Sequence, residues 1–196
     1  MKRIIIIAML FTSLVARAQE KIGSYTSSYF KTEFDVLASQ PEKDKFYYYI
    51  SVFGENKTDA VELCLSSENA EKFVEAMRIC KEKFVEWEKI AKDNNVTGFT
   101  KDFPVTLPPM DVCWSSSEVW ISWNQIFTPY FRVLKNGECA FVLSDKVTAS
   151  SNKYINKEFY LALKSQDEFD SLIKNIDKEV VIRHFREKQD VEDLFK

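Results

Sequence analysis

The sequence predicts an α+β fold, with one antiparallel sheet or two small ones packed against a long helix and a C-terminal helix pair. Three observations predict it. Short alternating or aromatic runs fill the stretch up to Leu65 and again from Asp111 to Leu163. A single apolar stripe at helical spacing separates them. A Ser-x-x-Glu box at Ser165 opens a second amphipathic segment.

The first residues read as an export signal. Lys2 and Arg3 are followed by the apolar run Ile4 to Val15, then Ala16-Arg17-Ala18 as a small-x-small site before Gln19. The run is shorter than the roughly 20 residues that span a bilayer. No Cys follows it, so the lipid attachment of a lipoprotein is not expected. The expected organisation is a signal peptide at 1–18, cleaved at Ala18-Gln19, and one α+β domain at 19–196. The mature chain is then periplasmic or secreted. No later apolar run reaches spanning length, so an integral membrane segment is not expected in it.

Composition narrows the functions. The net charge of the whole chain is −3, and losing Lys2, Arg3 and Arg17 makes the remainder more acidic. An acidic chain without a basic run argues against nucleic acid as a partner. There are four glycines, well separated at Gly23, Gly54, Gly98 and Gly137. Average usage is about 7%, and lone glycines cannot build a phosphate-binding loop. Neither GxGxxG nor GxxxxGKS/T occurs, so no nucleotide cofactor is expected, and nothing calls for another.

Element by element, Thr32 to Ser39 alternates as a half-buried strand, with Phe34, Val36 and Ala38 on one face. Gln40 to Lys45, with Pro41, is a turn. Phe46 to Phe53 is aromatic and β-branched on both faces, and Ala60 to Leu65 is a third strand. Ser66 and Ser67 offer an N-cap to a helix from Glu68 to Lys92. Its inner stripe is Phe73, Met77, Cys80, Phe84, Trp87 and Ala91. Val96 to Pro109 holds three prolines, which permit an edge strand but no central one. Val112 to Ser115 and Glu118 to Asn124 are strands around a serine turn.

Asn136-Gly137 between apolar runs marks a hairpin of Thr128 to Lys135 with Glu138 to Lys146. A two-residue turn there sets Lys135 against Glu138, Leu134 against Cys139 and Val133 against Ala140. Thr148 to Asn156 is a polar loop, and Glu158 to Leu163 is a strand. Ser165 with Glu168 caps a helix whose inner face is Phe169, Leu172, Ile173 and Ile176. A last helix runs from about Lys178 to Lys188. Leu63-Cys64-Leu65-Ser66-Ser67 and Leu161-Ala162-Leu163-Lys164-Ser165 both lead from strands into a helix, which raises a strands-then-helix duplication.

Several stretches resemble one another's counterparts in a known group. The KFVEW segment (Lys83 to Trp87), the tryptophan-rich strands, the KVTAS stretch (Lys146 to Ser150) and the FYLALKSQDEFDSLI ending (Phe159 to Ile173) carry the likeness. It covers Ser66 to Asn95 and Asp111 to Ile176. On these the chain resembles an uncharacterised family of small exported proteins from anaerobic gut bacteria. The resemblance implies export and an α+β domain, and carries over no activity and no functional residue.

Candidate sites are few. His184 is the sole histidine, which rules out a two-histidine metal site within one chain. No cysteine sits in a nucleophile signature and no GxSxG elbow is present, so no catalytic or metal-binding residue is named. Cys64, Cys80, Cys113 and Cys139 permit two disulfides in three connectivities. The spacing leaves pairing open, with buried free thiols as the alternative. Asp111 is the least arbitrary carboxylate and reads as a turn-former. Asp170-Ser171-Leu172 matches a short O-glycan acceptor pattern of some gut bacteria.

The aromatic concentration from Trp114 to Phe131 is the best functional lead. Alternation puts Val119, Ile121 and Trp123 on one face and Trp120, Ser122 and Asn124 on the other. An exposed Trp120 beside Ser122 and Asn124 suits stacking on a sugar or peptide. Burial of all of these rings in a core covered on both faces is the competing reading. The expected function is non-enzymatic binding of a protein or glycan of the cell envelope. The alternatives are a secreted hydrolase using paired carboxylates and a protein that acts only by protein contact.

Overall fold

A chain dense in β-branched and aromatic residues folds here into strands that pair mostly with sequence neighbours, the exceptions being three long-range pairings that close the sheet. The computed structural model describes residues 19–55, 60–115 and 118–195. The expected signal at 1–18 lies outside the described residues. β1 (Gln19–Ser27), β2 (Thr32–Ser39), β3 (Tyr47–Gly54) and β4 (Ala60–Ser66) form an antiparallel meander. β1 went unread in the sequence, because Ile22 and Tyr25 are its only large apolar residues. It forms by pairing with β2 along its whole length, with a bulge at Ile22 between Lys21 and Gly23.

α1 (Ala70–Asp93) follows. Its expected stripe is buried at Phe73, Met77, Cys80, Phe84 and Ala91, with Trp87 packed at the margin. The expected serine cap is corrected. Asn69 occupies the N-cap with no side-chain cap bond, and its Nδ2 donates to the Pro109 carbonyl at 2.9 Å. Ser67 serves the sheet instead: its backbone N donates to Phe46 O at 2.9 Å, and its hydroxyl accepts from Phe46 N at 3.3 Å.

β5 (Phe99–Asp102) is an edge strand, as the neighbouring prolines require. β6 (Met110–Ser115), β7 (Val119–Gln125), β8 (Tyr130–Val133), β9 (Cys139–Ala149) and β10 (Asn152–Leu163) complete the sheet. Its main path runs β5-β8-β9-β10-β3-β4-β6-β7, and β2 and β1 extend from β3. β3 therefore has three partners. Val61 to Ser66 of β4 line one edge; β2 (at Tyr48 to Ile50) and then β10 (at Phe53 and Gly54) line the other.

Two readings in this half are corrected. The β8–β9 register is one residue off the expected one: Val133 faces Cys139 and Arg132 faces Ala140. Gly137 has φ of +82°, while Asn136 stays out of the positive region. Gly137 N donates to Leu134 O at 3.0 Å and Leu134 N to Glu138 O at 2.8 Å. The connection is thus a turn closed by a left-handed glycine, one residue longer than an Asn-Gly two-residue turn. Glu138 pairs with Lys164 at 2.8 Å rather than facing Lys135. The polar loop expected over Thr148 to Asn156 is the tip of one long β9–β10 hairpin, because polar residues suffice where one strand face is wet.

α2 (Gln166–Asn175) starts as expected, with Ser165 accepting from Glu168 N at 3.3 Å. The Glu168 carboxylate reaches back to Lys164 N at 2.6 Å and across to Ser28 N at 3.0 Å. α3 (Lys178–Asp193) is capped by Asp177 and runs beyond the expected Lys188. Strand and helix faces meet in one core. At its centre Phe84 touches Phe131 and Phe169, and Phe141 touches Phe103 and Phe169, at centroid separations of 5.2–5.8 Å. A small second cluster, Ala140, Val142 and Ala162, lies under Tyr29, Phe30 and Tyr130.

The fold is thus α+β, as the sequence predicts. The strands-then-helix order recurs in both halves, but the connectivity does not. The first four strands are a continuous meander, whereas β6–β7 and β8–β9–β10 sit at opposite ends of the path. Among the described residues no helix is long and apolar enough to cross a membrane.

Candidate functional site

The β6–β7 pair carries the aromatic lead. Ser115 faces Val119, Trp114 faces Trp120, Cys113 faces Ile121 and Val112 faces Ser122. The register then slips, and Met110 faces Gln125. Trp123 and Asn124 of β7 together oppose Asp111 of β6, which makes a bulge. Asn124 takes φ of +54°, a left-handed backbone that Asn tolerates better than most residues. Its N donates to Asp111 Oδ1 at 2.7 Å.

The tip of the long β9–β10 hairpin holds the other side. Ser150 N donates to Ile121 O at 2.9 Å, and Trp123 N donates to Ser150 Oγ at 3.0 Å. Gln125 Nε2 donates to Trp123 O at 2.7 Å. The backbone of Trp123 is thereby fixed while the residue as a whole is 55% exposed. Val119, at 58%, and Ile126, at 61%, are the other exposed large apolar residues of this stretch.

The sequence reading placed Trp120, Ser122 and Asn124 on a shared face, with exposure and burial both open. The structure turns Trp120 and Ser122 inward. Trp120 is half-buried against the core and Ser122 is 2% exposed, because their partners Trp114 and Val112 are buried. Asn124 is exposed, and the bulge removes it from the alternation. The outward indole is Trp123. Alternation separated Trp120 and Ser122 from Trp123 correctly, failed for Asn124 at the bulge, and cannot say which set meets the core. Asp111, read from the sequence as a turn-former, lies instead within β6 and anchors the bulged backbone of β7.

The cysteines divide. Cys64 and Cys113 lie on one face of β4 and β6, and the Cys64 thiol donates to the Cys113 sulfur at 2.6 Å. That contact and burial hold the Cys64 thiol well above its ordinary value of 9.0. Cys80 is fully buried on α1, and burial pushes its thiol up to about 12. Cys139, buried at the start of β9, is also raised by burial and then by the nearby Glu88.

Other candidates settle into structural roles. His184 on α3 meets Glu20 of β1 at 3.1 Å, and Lys188 meets the same carboxylate. The Ser171 hydroxyl of the acceptor-like triplet donates to Ser24 O at 3.4 Å between α2 and β1, and Asp170 is held by Lys81 at 2.6 Å. Glu62, which the sequence did not single out, lines an open cleft of about 380 Å³ with Thr32, Phe34, Ser51 and Phe53. Burial holds its carboxyl above the usual value. A wider charged cleft between α1 and α2 is bordered by Arg78, Lys81, Asp167 and Asp170. Among the described residues no group of three or more His, Cys, Asp or Glu side chains is arranged to hold a metal.

Together these features define an α+β protein that presents an exposed indole on a pinned bulge. No known protein family, curated protein or solved structure matches the chain.

Proposed function

We propose that this chain is an exported, non-enzymatic binding protein that engages a protein or glycan of the cell envelope through the surface around Trp123. The observation that carries the reading is the exposed indole, carried on a bulge whose backbone is held by Asp111 and Ser150. A large apolar ring on a fixed backbone loses less freedom on binding than one on a mobile loop, and polar groups beside it orient a sugar or peptide. Export rests on the charge, apolar run and small-x-small order of the first eighteen residues and on the resemblance to small exported proteins.

The test is co-sedimentation of the purified protein with isolated envelope polysaccharide and with envelope proteins, comparing wild type with Trp123→Ala. Truncating a central aromatic contact costs about 2 kcal/mol or more, so the variant should bind roughly 30-fold more weakly. Its melting temperature should stay where it is, since the ring is exposed. The protein recovered from its own envelope should begin at Gln19. Binding that survives Trp123→Ala undiminished would remove this surface from the reading, and an intact N-terminus would remove export.

A further inference from the structure

We propose that Cys64 and Cys113 form a cross-strand disulfide between β4 and β6, and that Cys80 and Cys139 remain thiols. Spacing along the chain leaves three connectivities open; the register selects one. Cys64 lies opposite Asp111, and Cys113 lies opposite Glu62. The two cysteines are therefore diagonal neighbours on the same face of adjacent strands. Both side chains close the diagonal, and the sulfurs meet at 2.6 Å. Cys80, on the buried stripe of α1, and Cys139, opposite Val133, each lack such a partner.

The pair is also asymmetric in access. Cys113 is half-buried, whereas Cys64 is 4% exposed. The oxidant is a disulfide of low molecular weight, such as oxidised glutathione. The Cys113 thiolate attacks it, an S–S bond forms to Cys113, the donor bond breaks and one thiolate leaves. Cys64, giving up its proton, then attacks Cys113 Sγ. The intramolecular bond forms and the second donor thiolate departs. The two cysteines are oxidised by two electrons, the donor is reduced to two thiols, and the two protons end on those thiols. Asp111 shares this face and anchors the bulge, so the link would tie β4 to the strand that positions Trp123.

The experiment equilibrates the purified protein with oxidised and reduced glutathione, alkylates it under denaturing conditions, and maps its peptides without reduction. The expected result is one link, joining the Cys64 and Cys113 peptides, with alkylated thiols falling from four to two. Reduction should lower the melting temperature of wild type by at least about 5 °C. Cys113→Ser should show no link and no response to reductant. Four alkylated cysteines after equilibration, or a link through Cys80 or Cys139, would overturn the assignment. If the variant does not fold, the wild-type map decides alone. The readout does not depend on export or on any partner of Trp123.

Discussion

Glu62 shows what one residue adds to a sheet face. It stands beside Cys64 on β4, and burial raises its carboxyl above the ordinary 4.5. The folded chain then keeps this proton to a higher pH than the unfolded chain does. The contribution to stability is complete below about 4.5 and is lost as pH rises through the raised value. Glu62→Gln cannot titrate. Its melting temperature, measured against wild type from about pH 4 to 7, should therefore gain on wild type as pH rises. Parallel profiles would show that Glu62 is hydrated like a surface carboxylate. At this scale the sequence was legible in chemistry and illegible in direction. It separated Trp120 and Ser122 from Trp123, but the inward choice belongs to the buried Trp114 and Val112 across the strand. The bulge that frees Trp123 had one local cue, an asparagine where left-handed backbone was needed.

Between elements, the contact of β1 with α2 is the most exacting. A Cβ on Gly23 would lie 2.1 Å from Asn175 Oδ1 and 2.7 Å from its Cγ. That amide cannot swing away freely, because Asn175 is buried and its Nδ2 donates to Ser24 O and Ser171 O, each at 2.8 Å. Gly23→Ala should cost about 1–3 kcal/mol through lost hydrogen bonds and overpacking. Asn175→Ala alone also costs, and the double variant should cost less than the sum of the singles. Additive losses in denaturant unfolding would mean that the two do not share the contact. Helices were the most legible elements, since the stripes of α1 and α2 and the Ser165 cap follow from local spacing. β1 was the least legible. Its pairing depends on β2 and α2, neither of which leaves a mark within Gln19 to Ser27. The β8–β9 register was missed because Asn-Gly serves two turn geometries, and only the φ of Asn136 separates them.

For the whole molecule, the α+β class and the strand count of at least six could be read from runs of β-prone residues, whereas strand order could not. Alternation reveals that a strand has a buried side and says nothing about its neighbour. The branch point of the sheet is β3, which is bordered by β4 along one edge and by β2 and β10 in succession along the other. β10, β4 and β2 each join the rest of the sheet through β3, so losing that strand divides the sheet, and its parts should melt together. Amide hydrogens of Tyr48 to Val52 should be among the slowest to exchange with deuterium, opening only when the entire chain unfolds. Heat and denaturant should then each give one transition, seen alike by tryptophan emission and by backbone dichroism. Early exchange in β3, or two separated transitions, would show that the shared strand does not weld the molecule into one cooperative unit.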